Sequence, residues 1–400
     1  MPLIVVYNPA SGDRTAAKLT TESILPLLAS HDIIPDKIAA TEHPGHASTL
    51  LLAYIRSLAP STPAEGITVL LVSGDGTLYE ILNALHNARD KQEGPFPDLR
   101  LILIPGGTAN ALHATLFPPP TSSAAEPTPL ASLLSFLSTT PRLVPLTLAH
   151  TTVPSPASPA NEEEAPSSST DVVSAVVVST ALHAAILHDS EALRASVPGI
   201  ERFKLAATQN ATTWYRAKAR LLPPVQRYDV ATGAFVAVAD REGPLELPGP
   251  FVYFLSTVNC DRLEPLFRIA PLRRALPPPP GAQTMDILAV RPLRDLSLNG
   301  KAGEAEREKF KETLGDVFRG AYQDGAHIRA RYDAQDGETD GVPVIEYFRV
   351  SGWEWIPEED DEKAHLFCAD GLIFNAPKGG VVKSSVLAQT THGSKVFVYA

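Results

Sequence analysis

The chain has 400 residues, 44% of them hydrophobic, which is enough to form about two or three domains with substantial cores. Its formal net charge of −11 argues against a nucleic-acid backbone as a partner. Two cysteines, Cys260 and Cys368, give no disulfide framework, and no run approaches the ~18 apolar residues of a membrane-spanning helix. We therefore expect a soluble, cytoplasmic protein whose contact with a membrane is peripheral.

The chain begins with two units that each consist of a strand, a polar turn and a helix. The first has an apolar run at Leu3–Val6, a turn at Asn8–Gly12 and helical spacing from about Thr15 to Ala29. The second has a weaker strand near Ile33–Ala40, followed by the polar turn Thr41–His46 and a helix. A strand, a turn and a helix in repeated succession indicate an α/β domain.

The third unit is the most distinctive, because its strand runs into the turn Ser73-Gly74-Asp75-Gly76-Thr77 and then into a helix. Two glycines let the backbone approach a bulky ligand, and the N–H groups at the helix start can receive anionic oxygens, so the turn predicts a phosphate-binding site. A carboxylate there repels phosphate unless it holds a cation or takes a proton. Asp75 is therefore a candidate functional group; the alternative is a turn aspartate bonded to local backbone.

The fourth unit runs from Leu101–Ile104 into the turn Pro105–Asn110 and a short helix. Four such units with continuous apolar strands predict a doubly wound parallel sheet covered on both faces. Ligands bind such sheets at the carboxyl ends of the strands, where all four polar turns lie. Residues 1–145 are therefore predicted to form an α/β domain with a ligand site at this edge of the sheet.

The character of the chain then changes. Residues 146–171 include runs of glutamate and serine that predict a disordered, low-complexity linker. Residues 172–400 read mostly as widely spaced strands, with helices near Glu201–Leu222 and Lys301–Arg319, and predict a mainly antiparallel β-sandwich. Within the first of these helices, the basic and aromatic run Trp214–Arg220 is either a packed helix or a membrane-surface segment.

Taken together, the four turns resemble the diacylglycerol-kinase-type catalytic domain, and within it the sphingosine and ceramide kinase branch. The resemblance rests on motifs that occur in order, namely Asn8-Pro9-Ala10-Ser11-Gly12, Thr41-Glu42 with His46-Ala47, Ser73-Gly74-Asp75-Gly76-Thr77, Pro105-Gly106-Gly107-Thr108-Ala109-Asn110-Ala111, Asp189–Arg194 and Gly199–Lys204. It implies a Rossmann-like first domain of the kind found in NAD kinases and phosphofructokinases, followed by a β-rich lipid-binding domain.

The resemblance also implies roles for individual residues. Asp75 would be the general base or would orient the acceptor hydroxyl, and ATP with Mg²⁺ would be the phosphate donor. The residues implied to contact the nucleotide are Asn8, Pro9, Ala10, Thr41, His46, Ser73, Gly74, Gly76, Thr77, Glu80, Gly106, Gly107, Thr108, Arg194, Arg202, Asp370 and Gly371. The alternative for the two arginines is an ordinary surface position. No spacing among His46, His183 and His188 predicts a metal site.

Two positions depart from the family pattern. Leu187 stands where sphingosine kinases carry an acid that meets the lipid head group, and Asp189 or His188 would substitute if the register slips. Near Asp370 and Gly371, Leu372 replaces the glutamate that closes the family motif. The first departure argues against sphingosine itself as the lipid, and the second removes a carboxylate that the family places beside nucleotide or metal.

The resemblance thus implies an ATP- and Mg²⁺-dependent kinase that phosphorylates a primary hydroxyl of a sphingoid-base-type lipid in the cleft between two domains. A diacylglycerol or ceramide kinase is the closer alternative, since those lipids lack the free amine that an acid would recognise. A catalytically impaired nucleotide-binding relative with a regulatory role is the alternative from another class.

Overall fold

The computed structural model describes residues 2–58, 66–89, 97–119, 128–154, 169–197, 199–238, 243–333, 341–387 and 395–400. Its strands, in chain order, are β1 (Leu3–Tyr7), β2 (Lys37–Ala40), β3 (Ile67–Ser73), β4 (Leu99–Pro105), β5 (Leu143–Pro145), β6 (Ala149–Pro154), β7 (Ser169–Ser174), β8 (Val177–Thr180), β9 (Ala217–Leu222), β10 (Gln226–Asp229), β11 (Ala234–Ala237), β12 (Leu245–Pro248), β13 (Tyr253–Thr257), β14 (Met285–Val290), β15 (Glu346–Val350), β16 (Gly352–Pro357), β17 (Leu366–Ala369), β18 (Leu372–Asn375), β19 (Val382–Val386) and β20 (Val396–Tyr399).

The α-helices are α1 (Ala16–Leu19), α2 (Leu25–Ala29), α3 (His46–Ser57), α4 (Asp75–Arg89), α5 (Ala111–Leu116), α6 (Ala131–Leu137), α7 (Ala181–Leu193), α8 (Glu201–Asn210), α9 (Leu272–Ala275) and α10 (Glu304–Tyr322). A π-helical segment, Thr20–Ile24, joins α1 to α2. Short 3₁₀ turns lie at Pro292–Arg294, Leu296–Leu298, Ala326–Arg329 and Glu362–His365.

The described chain divides into two compact units. The first contains residues up to Leu148, the short segment Arg262–Pro265 and β20, and the second contains Ala149–Asp261 and Leu266–Leu387. The first unit holds a single sheet in the order β2-β1-β3-β4-β20-β5. Its first five members run parallel, and β5 is antiparallel to β20. The predicted parallel α/β domain is therefore confirmed.

The core of the first unit explains why its strands are continuously apolar. All seven residues of β3 are buried, so both faces of the strand are covered. On one face, α1, α2 and α6 pack on the sheet through a cluster that comprises Leu3, Val5, Ala16, Ile24, Leu28, Leu70, Val72, Ile102, Ile104, Leu133 and Tyr399. Helices α3 and α4 pack against each other. This packing fixes the carboxyl ends of β1, β3 and β4, from which the polar turns emerge.

Strand β20 belongs to the first unit, although the sequence assigns it to the second domain. It pairs with β4 on one side and β5 on the other. Ser132 of α6 ties it in, because its Oγ donates to the carbonyl oxygen of Tyr399 at 2.6 Å and accepts from the N–H of Leu103 at 3.1 Å. The predicted domain 172–400 is thus not continuous in the structure.

The second unit contains two antiparallel sheets, in the orders β11-β10-β15-β14-β13-β8-β17-β18 and β12-β9-β16-β19-β6-β7. Aromatic side chains join them, since the ring of Phe254 lies 5.3 Å from Trp353 and 5.2 Å from Trp355. The indole Nε1 of Trp353 also donates to Ser256 Oγ at 2.9 Å. The predicted antiparallel character of this unit is confirmed.

The predicted helix Glu201–Leu222 is wrong in its second half. Helix α8 ends at Asn210, and Ala217–Leu222 forms β9 between β12 and β16. Buried residues alternate with less buried ones along β9, which is the period of a strand. The run Trp214–Arg220 is therefore not the predicted packed helix. Trp214 and Tyr215 are buried, and Arg216 pairs with Glu358 and Asp360. Lys218 and Arg220 pair with glutamates of the neighbouring strands β12 and β16.

The predicted linker 146–171 contains strand residues at both ends. Strand β6 occupies Ala149–Pro154 and pairs antiparallel with β7, which begins at Ser169. Residues 155–168, where the glutamate and serine runs occur, lie outside the described residues. The described part of this segment is therefore an ordered pair of strands within the second unit.

Candidate active site

The polar turns after β1, β3 and β4 contact one another through their glycine backbones. A Cβ atom on Gly12, whose φ is +48°, would lie 2.5 Å from the carbonyl oxygen of Gly106. A Cβ on Gly107 would lie 2.5 Å from the Cα of Gly74. The N–H of Gly106 also donates to the carbonyl oxygen of Ser73 at 3.0 Å. These glycines are therefore required for the packing of three turns, before any ligand is considered.

Gly76 differs from the other glycines of these turns. It is exposed, and a Cβ there would have no described atom within 4 Å. Packing within the first unit therefore does not require a glycine at this position. The open space beside Gly76, in the first turn of α4, is where a ligand could approach the backbone closely.

Asp75 is the first residue of α4 and is half-buried. Its Oδ2 accepts from the N–H of Ala111 at 2.7 Å and its Oδ1 from the N–H of Leu112 at 3.4 Å, so it caps α5 across the neighbouring turn. Burial raises the pKa of Asp75, against the lowering effect of these two hydrogen bonds. The alternative for Asp75, a turn aspartate bonded to backbone, therefore holds in part. About four lone-pair positions exist on a carboxylate, so two remain available to a ligand.

The turn after β1 is attached to the turn that carries Asp75. Asn8 Nδ2 donates to Thr77 Oγ1 at 3.4 Å, and Asn8 Oδ1 accepts from the N–H of Ala10 at 3.0 Å. The N–H of Asn8 also donates to the carbonyl oxygen of Val72 at 3.0 Å. Asn8, Pro9 and Ala10 are therefore brought to the same sheet edge as Ser73 and Thr77.

The turn after β2 lies beside this edge. The N–H of Thr41 donates to the carbonyl oxygen of Tyr7, the last residue of β1, at 2.9 Å. His46, the first residue of α3, accepts the N–H of Glu42 on Nδ1 at 3.1 Å, and Ser48 Oγ donates to the carbonyl oxygen of Glu80 at 2.9 Å. The first unit therefore gathers the predicted residues Asn8, Pro9, Ala10, Thr41, His46, Ser73, Gly74, Asp75, Gly76, Thr77, Glu80, Gly106, Gly107 and Thr108 at or next to the carboxyl edge of one sheet.

Sequence reasoning did not assign a role to Asn110, which organises the last turn. Its backbone is left-handed, with φ of 52°. Its Oδ1 accepts from the N–H of Gly107 at 2.8 Å and its Nδ2 donates to the carbonyl oxygen of Gly107 at 2.7 Å. Asparagine tolerates the left-handed region and bonds local backbone, so an asparagine three residues after a glycine pair was the available signal.

Arg194 and Arg202 belong to the second unit, where both lie near Glu191. Arg194 Nη2 donates to Glu191 Oε1 at 2.8 Å, and Arg202 Nη2 lies 4.0 Å from the same oxygen. Burial lowers the pKa of Arg202, the charge of Arg194 lowers it further, and Glu191 opposes both. Arg194 is well exposed whereas Arg202 is largely buried and stacks on Phe203, so the two are not equivalent surface residues.

Neither of the two residues predicted to contact the lipid head group, Leu187 and Asp189, offers an uncommitted carboxylate to a ligand. Leu187 packs against the buried cluster of Ala184, Leu366 and Cys368. Asp189 pairs with His188 Nδ1 at 2.8 Å and accepts from Asn210 Nδ2 at 2.7 Å and Lys363 Nζ at 3.0 Å. Burial raises the pKa of Asp189, but its bonds to these three partners outweigh that effect and lower the pKa to about 2. Its charge is therefore already used within the fold.

This network predicts a pH dependence of stability. The pKa of Asp189 is lower in the folded protein than in an unfolded chain, so its contribution is fully present above about pH 4 and lost as the pH falls through about 2. We expect Asp189→Asn to lower the free energy of unfolding at pH 7, with a deficit that shrinks below pH 4. Urea unfolding of both proteins at several pH values measures this. A deficit that is independent of pH would contradict the network.

The carboxylate of Asp370 accepts hydrogen bonds from three backbone N–H groups of the second unit. Its φ is +47°, its Oδ2 accepts from the N–H of Ala175 at 2.7 Å, and its Oδ1 accepts from Val176 at 2.9 Å and Val177 at 2.8 Å. Gly371, with φ of +95°, follows it in a left-handed turn. Asp370 thus joins β17 and β18 to the connection between β7 and β8, and its predicted nucleotide contact stays a prediction.

Removing this carboxylate should destabilise the protein strongly. We expect Asp370→Ala to lower the free energy of unfolding by about 3 to 5 kcal/mol, because three buried N–H groups lose their acceptor. Asp370→Asn should cost less, because asparagine keeps one acceptor oxygen and tolerates the left-handed backbone. Urea unfolding gives both values. A contact with nucleotide would instead appear as weaker MgATP binding at nearly unchanged stability.

Among the residues that the structure describes, no three His, Cys, Asp or Glu side chains come together as a metal site. Mg²⁺ that arrives with nucleotide phosphates needs only one or two carboxylates from the protein. Asp75 fits this limited requirement, because its carboxylate keeps acceptor capacity beyond the two N–H groups it binds.

None of the helices that the structure describes combines the length and the apolar character of a membrane-spanning segment.

Comparison with known proteins agrees with this geometry. Residues 2–133 match the family profile of the diacylglycerol kinase catalytic domain, so this domain is present in that part of the chain. Sphingosine kinase 1 of Arabidopsis thaliana is 32% identical over 117 residues, which are 29% of this chain. The match spans only 22% of the length of that relative.

Two solved structures of a candidate diacylglycerol kinase from Bacillus anthracis str. Sterne match the whole chain. They cover 100% of this chain and 97% of theirs, with TM-scores of 0.51 and 0.50 and 16% sequence identity. At this identity the likeness shows the fold alone. It extends the similarity in fold beyond the catalytic domain to the second unit.

Proposed function

We propose that the chain is a lipid kinase that transfers the γ-phosphate of ATP, with Mg²⁺, to a primary hydroxyl of a lipid. The observation that carries the proposal is the position of Asp75, a half-buried carboxylate at the contact of three glycine turns within a diacylglycerol kinase catalytic domain. The match to a sphingosine kinase supports a lipid acceptor. Such an acceptor requires peripheral contact with a membrane or micelle.

Phosphoryl transfer needs clamped donor phosphates and an oriented acceptor, with little covalent work by the protein. The backbone of the three turns, open beside Gly76, would receive the phosphates. Asp75 would orient the acceptor hydroxyl and take its proton, since the N–H groups of Ala111 and Leu112 fix the direction of the carboxylate. Mg²⁺ would neutralise the phosphate charge, with Asp75 as a carboxylate able to bind it.

The class of lipid has two candidates. Similarity to a sphingosine kinase supports a sphingoid base as the acceptor. The environment of Leu187 and Asp189 supports a neutral lipid instead, such as ceramide or diacylglycerol, because neither residue offers an uncommitted acid to an ammonium group. We propose a sphingoid-base-type lipid as the acceptor to be assayed first. The neutral lipids are the alternative, and the contacts of Asp189 favour them.

The test is transfer of labelled phosphate from MgATP to sphingosine, dihydrosphingosine, ceramide and diacylglycerol in mixed micelles. Transfer to one lipid would confirm the class of reaction and identify the acceptor. MgATP binding without transfer to any lipid would overturn the proposal in favour of a nucleotide-binding protein with a regulatory role. Asp189→Asn, run alongside, should leave the preference among lipids unchanged if Asp189 serves the fold alone.

A further inference from the structure

A small cavity beside Asp75 contains a second polar side chain. Its volume is about 20 Å³, and the residues that line it include Leu71, Ser73, Asp75, Asn110 and His113. A cavity of this size holds about one water molecule and no part of a lipid chain, and water occupies such a site when polar partners face it. The nature of its lining therefore decides what the cavity can bind.

His113 supplies one such partner. It lies in α5 and is 7% exposed, and its Nε2 has no hydrogen-bond partner among the residues that the structure describes. Its ring packs on Phe117 with centroids 5.0 Å apart. Burial lowers the pKa of His113 to about 4, so the ring is neutral near pH 7. A buried ring nitrogen without a partner is unfavourable, and a polar molecule in the adjoining cavity would satisfy it.

We propose that the cavity binds one water molecule that bridges His113 Nε2 and a carboxylate oxygen of Asp75. The water donates one hydrogen to the neutral imidazole nitrogen and the other to the carboxylate, which has accepted only two backbone N–H groups. His113 is thereby a positioning residue for Asp75. This role rests on the proposed kinase function, whereas the water site itself does not.

The bridge would help to hold the Asp75 carboxylate in one orientation. Its hydrogen bonds to the N–H groups of Ala111 and Leu112 both come from α5, and the water would add a third from the cavity. Loss of the water should therefore let the carboxylate turn away from the direction in which it would meet the acceptor hydroxyl.

Crystal structures test the site without reference to activity. In the native protein we expect one ordered water at about 2.6 to 3.2 Å from both His113 Nε2 and an Asp75 oxygen. His113→Gln can place an amide group near the position of Nε2 and should keep this water, while His113→Phe should lose it. An empty cavity in the native protein, or a water that contacts only one of the two residues, would overturn the proposal.

Kinetics test the positioning role. We expect His113→Phe to lower kcat about tenfold with KM for MgATP within about twofold, because a misplaced carboxylate affects the transfer step and not the binding of nucleotide. His113→Gln should restore the native kcat. A native kcat in a folded His113→Phe protein would overturn the role of His113. If the native protein phosphorylates no lipid, the proposed function fails while the crystal structures still decide the water site.

Discussion

Asp75→Asn should lower the rate of phosphate transfer by about 10²- to 10⁴-fold, the range for removal of a general base. Asparagine cannot take the proton of the acceptor hydroxyl, although its oxygen can still accept the N–H of Ala111, so the turns should keep their arrangement. MgATP binding should change far less than the rate. Labelled-phosphate transfer and calorimetric MgATP titration of the same preparations measure the two effects.

Asp316→Asn is the matched control for this substitution. Asp316 lies exposed on α10 in the second unit and forms an ion pair with Arg319 one turn along the helix. Its removal should leave both transfer and stability nearly unchanged, because exposed pairs contribute little. If Asp75→Asn transferred phosphate within about threefold of the native rate, Asp75 would be a capping residue of α5 and not a base.

Gly107→Ala adds a single methyl group and should disrupt the packing of the turns that form the candidate site. The new Cβ would lie 2.5 Å from the Cα of Gly74, so two backbones must separate, and no flexible side chain can absorb the change. We expect a loss of about 1 to 3 kcal/mol in the free energy of unfolding, together with loss of MgATP binding as the turn that carries Asp75 shifts. Urea unfolding and MgATP titration report the two effects separately.

Gly76→Ala is the matched comparison, since it adds the same methyl group one residue after Asp75. A Cβ there has no described atom within 4 Å, so the free energy of unfolding should stay within about 0.5 kcal/mol of the native value. MgATP affinity should nevertheless fall, because the methyl group occupies the space that the phosphates require. Native affinity in Gly76→Ala would mean that nucleotide does not approach this face. Native stability in Gly107→Ala would mean that the turns adjust freely.

The fold of the first unit was predictable because its signals are local. Strands β1, β3 and β4 are continuous apolar runs that end in polar turns, and a buried parallel sheet follows directly from that pattern. A strand at the position of β20 was predicted, but as part of the second domain. Its place in the first sheet could not be predicted, since a short apolar strand can pair with any available edge and its partners β4 and β5 lie about 250 to 300 residues away in sequence. Helical propensity in Ala217–Leu222 was similarly overridden by two neighbouring strands.

The position of the candidate site could be predicted from the sequence, but the contacts that its individual residues make could not. The sequence indicated ligand contacts at Gly74, Gly106 and Gly107, whereas the structure uses these glycines, together with Gly12, for close contact between the turns. Asp370 could not be understood from its neighbours, because its three N–H donors lie almost 200 residues earlier. His113 lies within an apolar helical run, and no local pattern shows that its ring faces the cavity beside Asp75.

The position of β20 also affects the order in which the chain can fold during synthesis. Between β4 and β5 the first sheet needs residues 396–399, which leave the ribosome only after the second unit has been made. Until then β4 has an unpaired edge, the kind of surface that chaperones protect and that associates with other chains. A recombinant fragment that stops at residue 148 would contain the matched catalytic domain and still lack this strand. We expect such a fragment to aggregate unless residues 395–400 are supplied in the same polypeptide.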